Sequence, residues 1–298
     1  IAGGIPAVVE NAQSLPGYLT MMTTYDPVAG VEQPYPIINI ISMIAWGLGY
    51  FGMPHILLRF MAIEDEEKLT LSRRVATIWV VISLAVAVLI GVIGLAMSDV
   101  GALKTLTGSD SETIIVQIAD LLSKHGILPA LLAGTILAGI LASTMSTADS
   151  QLLAASSAVS SDLFGDRVAK TGDKKKAMNA ARFTLLAIAV IAAFIARDPN
   201  SSVFGIVSFA WAGFGAVFGP VVLFALFWRR SNWQGALAGM ISGGAMVFIW
   251  KYLVRPLGGV WNIYELLPAF SVSCLMIVIV SLLTKAPSKE ITEEFDRV

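Results

Sequence analysis

Seven long apolar stretches occupy most of this 298-residue sequence and limit the folds that it can adopt. They are residues 37–61, 75–97, 127–163, 178–196, 203–228, 234–254 and 264–284. A helix needs roughly 20 apolar residues to cross the hydrocarbon core of a bilayer, so each stretch is long enough to do so. A water-soluble globular protein is excluded, because 56% of the residues are hydrophobic and only 14% are charged. The sequence therefore predicts an all-α integral membrane protein with seven crossings.

The lysine and arginine positions predict the orientation of these crossings, because cytoplasmic loops of membrane proteins carry an excess of both residues. Fifteen of the 20 fall on one side when alternate loops are grouped together. We therefore predict that residues 1–36, which are rich in proline, form an extracytoplasmic loop region with at most one short amphipathic helix. Residues 285–298 then form a cytoplasmic tail. Residues 111–124 have apolar positions at helical spacing and predict a helix on the membrane surface.

The remaining composition excludes several other classes of protein. The formal net charge of −1 gives no indication of nucleic-acid binding. The single cysteine, Cys274, cannot form an internal disulfide, and two histidines with one distant cysteine make no metal motif. No grouping of nucleophile, base and oxyanion donors is visible, so the sequence predicts no enzyme and no catalytic residues.

The first crossing contains an unusual set of helix-breaking residues. Gly47, Gly49, Gly52 and Pro54 lie within eight positions of each other. Proline removes a backbone donor and glycine loosens the backbone, so we expect a break in the middle of the membrane. Transporters use such discontinuous helices to bind solutes. The alternative is a plain proline kink that packs against its neighbours.

The third crossing carries a cluster of polar residues in its middle. Ser143 precedes Ser146 by three positions and Thr147 by four, so on a helix both hydroxyl groups lie near the carbonyl oxygen of Ser143. Three oxygens in one small patch are suited to a hard monovalent cation, although a second helix must complete its ligands. Serine and threonine also serve as small packing residues or bond the carbonyl four positions back, which is the competing interpretation.

Asp149 lies about one turn after these residues. A carboxylate near the bilayer centre costs about 2.5–3.5 kcal/mol on insertion scales, so such residues normally face the interior of the helical bundle. It could shape a path for a cation towards the cytoplasm. Capping, or pairing with a basic group of another helix, is equally compatible with its position.

Three segments together resemble the sodium/solute symporter family, and within it the bacterial sodium/proline symporters. They are residues 46–61 (WGLGYFGMPHILLRFM), 140–153 (ILASTMSTADSQLL) and 207–224 (VSFAWAGFGAVFGPVVLF). Their order and spacing match, and the resemblance extends over nearly the whole chain from about residue 37.

The resemblance implies a leucine-transporter-like fold, which contains two inverted repeats of five helices. Residues 37–228 would form the second-repeat transmembrane core and residues 229–284 two additional transmembrane helices. The chain would then be a fragment that lacks the first repeat. Its partners would be the lipid bilayer and the missing N-terminal helices of the same polypeptide, and it would lie in the bacterial inner membrane.

The resemblance also assigns residues to a binding site. Ser146 and Thr147 match the hydroxyl ligands of sodium, and Ser143 matches the residue that contributes its carbonyl oxygen. Trp46, Tyr50 and Pro54 match positions implicated in proline binding. The implied function is sodium-coupled import of L-proline by alternating access, with Na⁺ as the coupling ion.

Two alternatives stay open at this point. The same machinery could carry another organic solute, such as another amino acid, a carboxylate or pantothenate, because Met53 and the segment from Ala148 to Ser150 depart from the proline-specific pattern. A transporter-like sensor domain of a histidine kinase is the other alternative. For a symporter of another solute, the fold and the ion site would stay the same.

Overall fold

The computed structural model describes residues 3–159, 174–198 and 202–297. In these ranges the chain is mostly helical. The main elements, in order, are α1 (Ile5–Ser14), β1 (Thr23–Asp26), β2 (Val31–Pro34), α2 (Ile37–Ala45), a 3₁₀ segment (Trp46–Gly52), α3 (Pro54–Met61), α4 (Lys68–Asp99), a further 3₁₀ segment (Gly108–Thr113), α5 (Ile114–Ser123), α6 (Ile127–Ser157), α7 (Lys174–Ile195), α8 (Val203–Phe227), α9 (Trp233–Ile249), α10 (Leu266–Leu283) and α11 (Lys289–Arg297). Short π and 3₁₀ turns connect α9 to α10.

The number of apolar spans agrees with the sequence. Among the described residues, six helices are long and apolar enough to cross a membrane, and the number is seven if Ile37–Gly52 and Pro54–Met61, which are bent by 55°, are counted as one broken span. The helix α4 begins at Lys68, earlier than the predicted crossing, because its charged first turns continue the same helix beyond the apolar stretch. The helix α6 extends to Ser157, and residues 160–163 of the predicted third crossing lie outside the described residues.

The N-terminal region differs from the predicted loop. The expected short helix is present as α1, but β1 and β2 form an antiparallel hairpin in which Thr23 lies opposite Pro34. The Asp26 carboxylate accepts hydrogen bonds from the backbone N–H groups of Val28 and Ala29 and so closes the turn. These bonds, that of Ala29 first, hold the pKa of Asp26 below its usual range. The aspartate turn was the local signal that the sequence analysis missed.

The helix that the sequence predicted at residues 111–124 is present as α5, over Ile114–Ser123. A 3₁₀ turn over Gly108–Thr113 leads directly into α5, which packs against α6 and α4. Its location at the membrane surface stays a prediction.

The chain divides into two compact units. One contains Ile1–Ala12 and Asp65–Val203, and the other contains Gln13–Glu64 and Phe204–Val298. In the first unit α6 packs against both α5 and α7. In the second unit the closest packing is between α9 and α10, and α10 also contacts α2 and the Trp46–Gly52 segment.

Glycines allow α9 to approach α10 closely in the second unit. A Cβ atom on Gly239 would lie 3.2 Å from the carbonyl oxygen of Ser273 and closer still to Ile277. Gly235 and Gly243 are similarly close to α10. Small residues at such a crossing bring two membrane helices into backbone contact. This crossing borders the buried core of the unit, to which Ala216, Val247 and Phe270 belong.

Candidate functional site

The first crossing is broken at the position that the glycines and the proline predicted. The helix α2 ends at Ala45, the backbone tightens into the 3₁₀ segment Trp46–Gly52, and Met53 is extended with φ −84° and ψ 111°. The helix α3 then begins with Pro54 in its first turn, where the missing proline N–H has no helical partner to lose. Met53 itself is only 5% exposed. One side of the break is therefore buried in the second unit, at Gly49, Gly52 and Met53, whereas Gly47, Tyr50 and Phe51 are exposed.

The glycines of the break also serve close packing, which was the competing interpretation. A Cβ atom on Gly49 would collide with the indole of Trp211, and one on Gly52 would collide with the carbonyl oxygen of Phe214. A Cβ atom on Gly215 would lie 2.7 Å from the Cα atom of Gly49. The broken segment and α8 are therefore in backbone contact. A broken helix and close packing are therefore compatible interpretations of the same residues. The glycines that loosen the backbone also lack the Cβ atoms that would hold the segment away from α8.

Aromatic rings surround the start of the broken segment. Trp46 stacks on Phe204, Trp211 and Tyr264, with ring centroids 5.4, 5.5 and 5.8 Å apart. Tyr50 packs edge to face on Trp211 at 4.8 Å. The indole N–H of Trp211 donates to the carbonyl oxygen of Trp46 at 3.0 Å. Trp46 and Tyr50, both predicted substrate residues, are thus brought together through Trp211.

The sequence analysis gave no role to Trp211 or Tyr264. Trp211 lies well inside an apolar crossing, away from the span ends where aromatic belts occur, and this position was the available signal. Tyr264 precedes α10 and gave no local signal. Its hydroxyl donates to the carbonyl oxygen of Ser208 at 2.5 Å.

Ser42 connects α2 to the segment before α10. The backbone N–H of Tyr264 donates to the Ser42 hydroxyl at 3.0 Å, and that hydroxyl donates to the carbonyl oxygen of Ile38 at 2.7 Å. Ser42 and Tyr264 are each 5% exposed. This buried hydrogen bond holds α2, the first part of the broken crossing, next to the segment that precedes α10.

We expect Ser42→Ala to destabilise the full-length protein by about 1–3 kcal/mol, because the buried N–H of Tyr264 would lose its acceptor. The measurement is the thermal unfolding midpoint of the purified protein in detergent. Ser271→Ala is the matched control, since its exposed hydroxyl donates only to the carbonyl oxygen of Leu267, within α10. Equal shifts in the two variants would contradict a structural role for Ser42.

A cavity of about 200 Å³ lies beside Trp46 within the second unit. Its lining is mixed, with aromatic, amide, hydroxyl and guanidinium groups. The lining residues are Tyr35, Asn39, Ser42, Met43, Trp46, Phe204, Ser208, Arg255, Asn262 and Tyr264. Tyr50 and Pro54 do not line it.

The predicted cation ligands lie on α6, in the first unit. The hydroxyl of Thr147 donates to the carbonyl oxygen of Ser143 at 3.3 Å, so these two oxygens are adjacent as predicted. The carbonyl oxygen of Ser146 accepts from the hydroxyl of Ser150 at 3.0 Å. All of residues 141–150 are exposed. The bond from Thr147 is also the backbone contact that the competing interpretation expects, so the geometry fits either role.

Asp149 is exposed on α6, and no ion pair to it occurs within the described part of the chain. The predicted site residues therefore fall into two sets in different units. Trp46, Tyr50 and Pro54 belong to the second unit. Ser143, Ser146, Thr147 and Asp149, on α6, belong to the first unit.

Comparison with known proteins identifies the family. The sequence profile of the Sodium:solute symporter family matches residues 2–243. The chain belongs to this family. It is 41% identical over 261 residues to the high-affinity proline transporter of Bacillus subtilis, covering 87% of this chain and 52% of that protein. It is 42% and 41% identical over 259 residues to the sodium/proline symporters of Salmonella typhimurium and Escherichia coli, covering 87% of this chain and 50% of each.

Membership in this family confirms the resemblance that the three sequence segments indicated. The chain is a multi-pass membrane protein of a transporter family, and that family is not one of enzymes. The chain spans about half the length of the curated relatives it matches. No solved structure matches it.

Proposed function

We propose that this chain is the part of a sodium/proline symporter that carries half of its transport site, and that the whole protein imports L-proline with sodium by alternating access. The observation that carries the proposal is the 40% or so identity, over 87% of the chain, to several proteins whose names state proline transport. The glycine-broken crossing beside an aromatic cluster supports it, since transporters bind solutes at such breaks.

The proposed fold is leucine-transporter-like. Residues 37–228 would be the second-repeat core, whose opening helix is the broken crossing, and residues 229–284 would add two helices outside it. Helices of a first repeat, from the same polypeptide, would supply the remaining ligands for substrate and ion. The bent crossing is compatible with this assignment, because discontinuous helices begin the repeats of this fold.

In the proposed substrate site, Trp46 and Tyr50 form an apolar wall for the proline ring. Pro54 starts α3, whose N-terminal N–H groups and dipole favour the substrate carboxylate. Carbonyl oxygens of the 3₁₀ segment are suited to the secondary ammonium. A pocket with few charges is selective for a zwitterion over a strongly charged solute.

The proposed sodium site is formed by the carbonyl oxygen of Ser143 and the hydroxyl groups of Ser146 and Thr147. Neutral oxygens can replace part of the hydration shell of Na⁺ without trapping it. Asp149, one turn further along α6, would face the cytoplasmic path of the ion. Sodium entry down a membrane potential releases about 2.3 kcal/mol per charge per 100 mV, which can drive accumulation of the solute.

We place the protein in the bacterial inner membrane with residues 1–36 outside and residues 285–298 in the cytoplasm. Basic residues support this orientation. Arg229 pairs with Asp296 of α11, and Arg230 donates to the carbonyl oxygen of Thr284, so the tail lies against a basic loop. Loops of this composition stay on the cytoplasmic side.

The direct test is uptake of labelled proline into liposomes that contain the full-length protein. An inward sodium gradient should drive uptake, whereas an equal potassium gradient should not. Unlabelled proline should compete, and other amino acids, carboxylates and pantothenate should not. Sodium-driven uptake of a different solute would refute proline as the substrate, and absence of transport by folded protein would favour the sensor alternative.

A further inference from the structure

The cavity beside Trp46 runs along one face of α2. Four of its lining residues, Asn39, Ser42, Met43 and Trp46, follow the spacing of three and four positions that places side chains on one side of a helix. This row begins near the start of α2 and ends at Trp46. Tyr50 continues the crossing beyond Trp46 but does not reach the cavity. The cavity therefore borders the break only at its first residue, Trp46, and extends from there along α2 towards the start of that helix.

Several polar groups of the cavity are already used by the fold. The Ser42 hydroxyl and the Tyr264 hydroxyl are engaged in the hydrogen bonds described above. The Ser208 hydroxyl donates to the carbonyl oxygen of Gly205 at 3.0 Å. The hydrogen bonds of Ser42 and Tyr264 connect α2 to the segment before α10, and that segment to α8.

Three donors of the lining have no partner among the described residues. They are the Nη2 group of Arg255, the side-chain amide of Asn39 and the Nδ2 group of Asn262. The free Nη2 group of a guanidinium and two side-chain amides are donors that match the acceptor oxygens of a carboxylate. The apolar side of the cavity is supplied by Met43 and Phe204.

The charge of Arg255 is fixed in place by two neighbours. Its Nη1 group bonds the Glu265 carboxylate at 2.8 Å, and its Nε group donates to the Asn262 side-chain oxygen at 3.1 Å. The Glu265 side chain is only 1% exposed, whereas that of Arg255 is 40% exposed. The buried carboxylate balances the guanidinium, so the wall has no net charge. Such a wall favours a zwitterion over a solute with a net negative charge.

We infer that this cavity is an outer capture site, in which Arg255, Asn39 and Asn262 hold the carboxylate of a small zwitterionic amino acid before it reaches the break. The inference rests on the proposed function and adds a specificity-determining residue, Arg255, to it. The volume of the cavity, about 200 Å³, suits a solute as small as an amino acid, because pockets for drug-sized ligands measure roughly 300–1,000 Å³. On the proposed orientation the residues around Arg255 face the outside, where the solute arrives.

The test measures sodium-driven proline uptake by the full-length protein in liposomes, with three variants. Replacing Arg255 alone would strand the buried Glu265 carboxylate, so the charge is removed together with its partner in R255Q/E265Q. We expect this double variant to raise the proline concentration for half-maximal uptake about fivefold at an unchanged maximal rate, since a charged hydrogen bond to a partly exposed group is lost. E265Q keeps the Arg255 charge without its counterion, and we expect a lower half-saturating concentration.

Lys251→Gln is the matched control. It removes one positive charge four residues before Arg255, and Lys251 contacts the rings of Phe209 and Tyr252 and does not line the cavity. It should leave half-saturation unchanged. A second readout is competition by prolinamide, which lacks the carboxylate. Its disadvantage against proline should shrink in the double variant and persist in the control.

Each other outcome counts against a specific claim. An unchanged half-saturating concentration in the double variant would overturn the capture site while leaving the proposed function intact. Equal increases in E265Q and the double variant would show that the ion pair only maintains the fold, which also overturns it. Absence of proline uptake by the unaltered protein would refute the proposed function and this inference together.

Discussion

Thr147→Ala should raise the sodium concentration for half-maximal proline uptake at least about tenfold in the full-length protein. The substitution removes one of the proposed oxygen ligands, and an interaction of a polar group with a charge contributes about 1.5–3 kcal/mol, where 1.4 kcal/mol corresponds to a factor of ten. The helix should persist, because the hydroxyl is exposed and its bond to the carbonyl oxygen of Ser143 is long, at 3.3 Å. Uptake into liposomes at graded sodium concentrations is the measurement.

Thr144 provides a control on the same helix. Its hydroxyl also donates to the carbonyl oxygen four positions back, that of Ile140 at 2.9 Å, but it is not a proposed ligand. Thr144→Ala should leave sodium activation unchanged, and Thr147→Ser should restore most of it because the hydroxyl is kept. If Thr144→Ala and Thr147→Ala shift sodium activation equally, the assignment of Thr147 to the ion site is wrong.

The second large effect concerns Gly52. Gly52→Ala should destabilise the protein by about 3 kcal/mol, at the upper end of the usual cost of overpacking. A Cβ atom there would collide with the carbonyl oxygen of Phe214 and lie 2.9 Å from both the Cα atom of Gly215 and the backbone nitrogen of Gly219. All three neighbours are backbone atoms of α8, so no side-chain rotation can relieve the collision. The unfolding midpoint in detergent should fall and proline uptake should be lost with it.

Gly47→Ala tests whether the position, rather than the residue type, is responsible. A Cβ atom on Gly47 would have no atom within 4 Å, and the glycine lies in the same 3₁₀ segment. We expect this variant to keep its unfolding midpoint within a few tenths of a kcal/mol of the unaltered protein. A Gly52→Ala variant as stable as Gly47→Ala would refute the close contact between the broken crossing and α8.

Local properties of the sequence predicted much of the architecture. The apolar stretches gave the number and order of the spans, because length and hydrophobicity are what a bilayer requires of a helix. The glycines and Pro54 gave the position of the break, since their effect on the backbone is intrinsic to them. The spacing of Ser143 and Thr147 gave their adjacency, which follows from the helical repeat alone.

Tertiary relations were not accessible in this way. The bond between Ser42 and Tyr264 joins residues 222 positions apart, and no pattern in either segment names the other. Trp211 was within a segment quoted for the family resemblance, but its contact with Trp46 depends on how α8 crosses the break. The hairpin was missed for a different reason: its strands are only four residues long and too short for an alternating pattern to stand out.

The long separation of these partners has a consequence for how the protein is made. The carbonyl oxygen of Trp46 accepts from the indole of Trp211, which is synthesised 165 residues later. The hydroxyl of Ser42 accepts from the backbone N–H of Tyr264, which is synthesised 222 residues later. At a synthesis rate of 5–20 residues per second, the second interval is roughly 10–45 s. During that time the Ser42 hydroxyl lacks the backbone N–H of Tyr264 that it accepts from in the folded protein. A chain that ends before Tyr264 lacks this buried bond, so the first crossing acquires its final contacts only when the last membrane helices have been made.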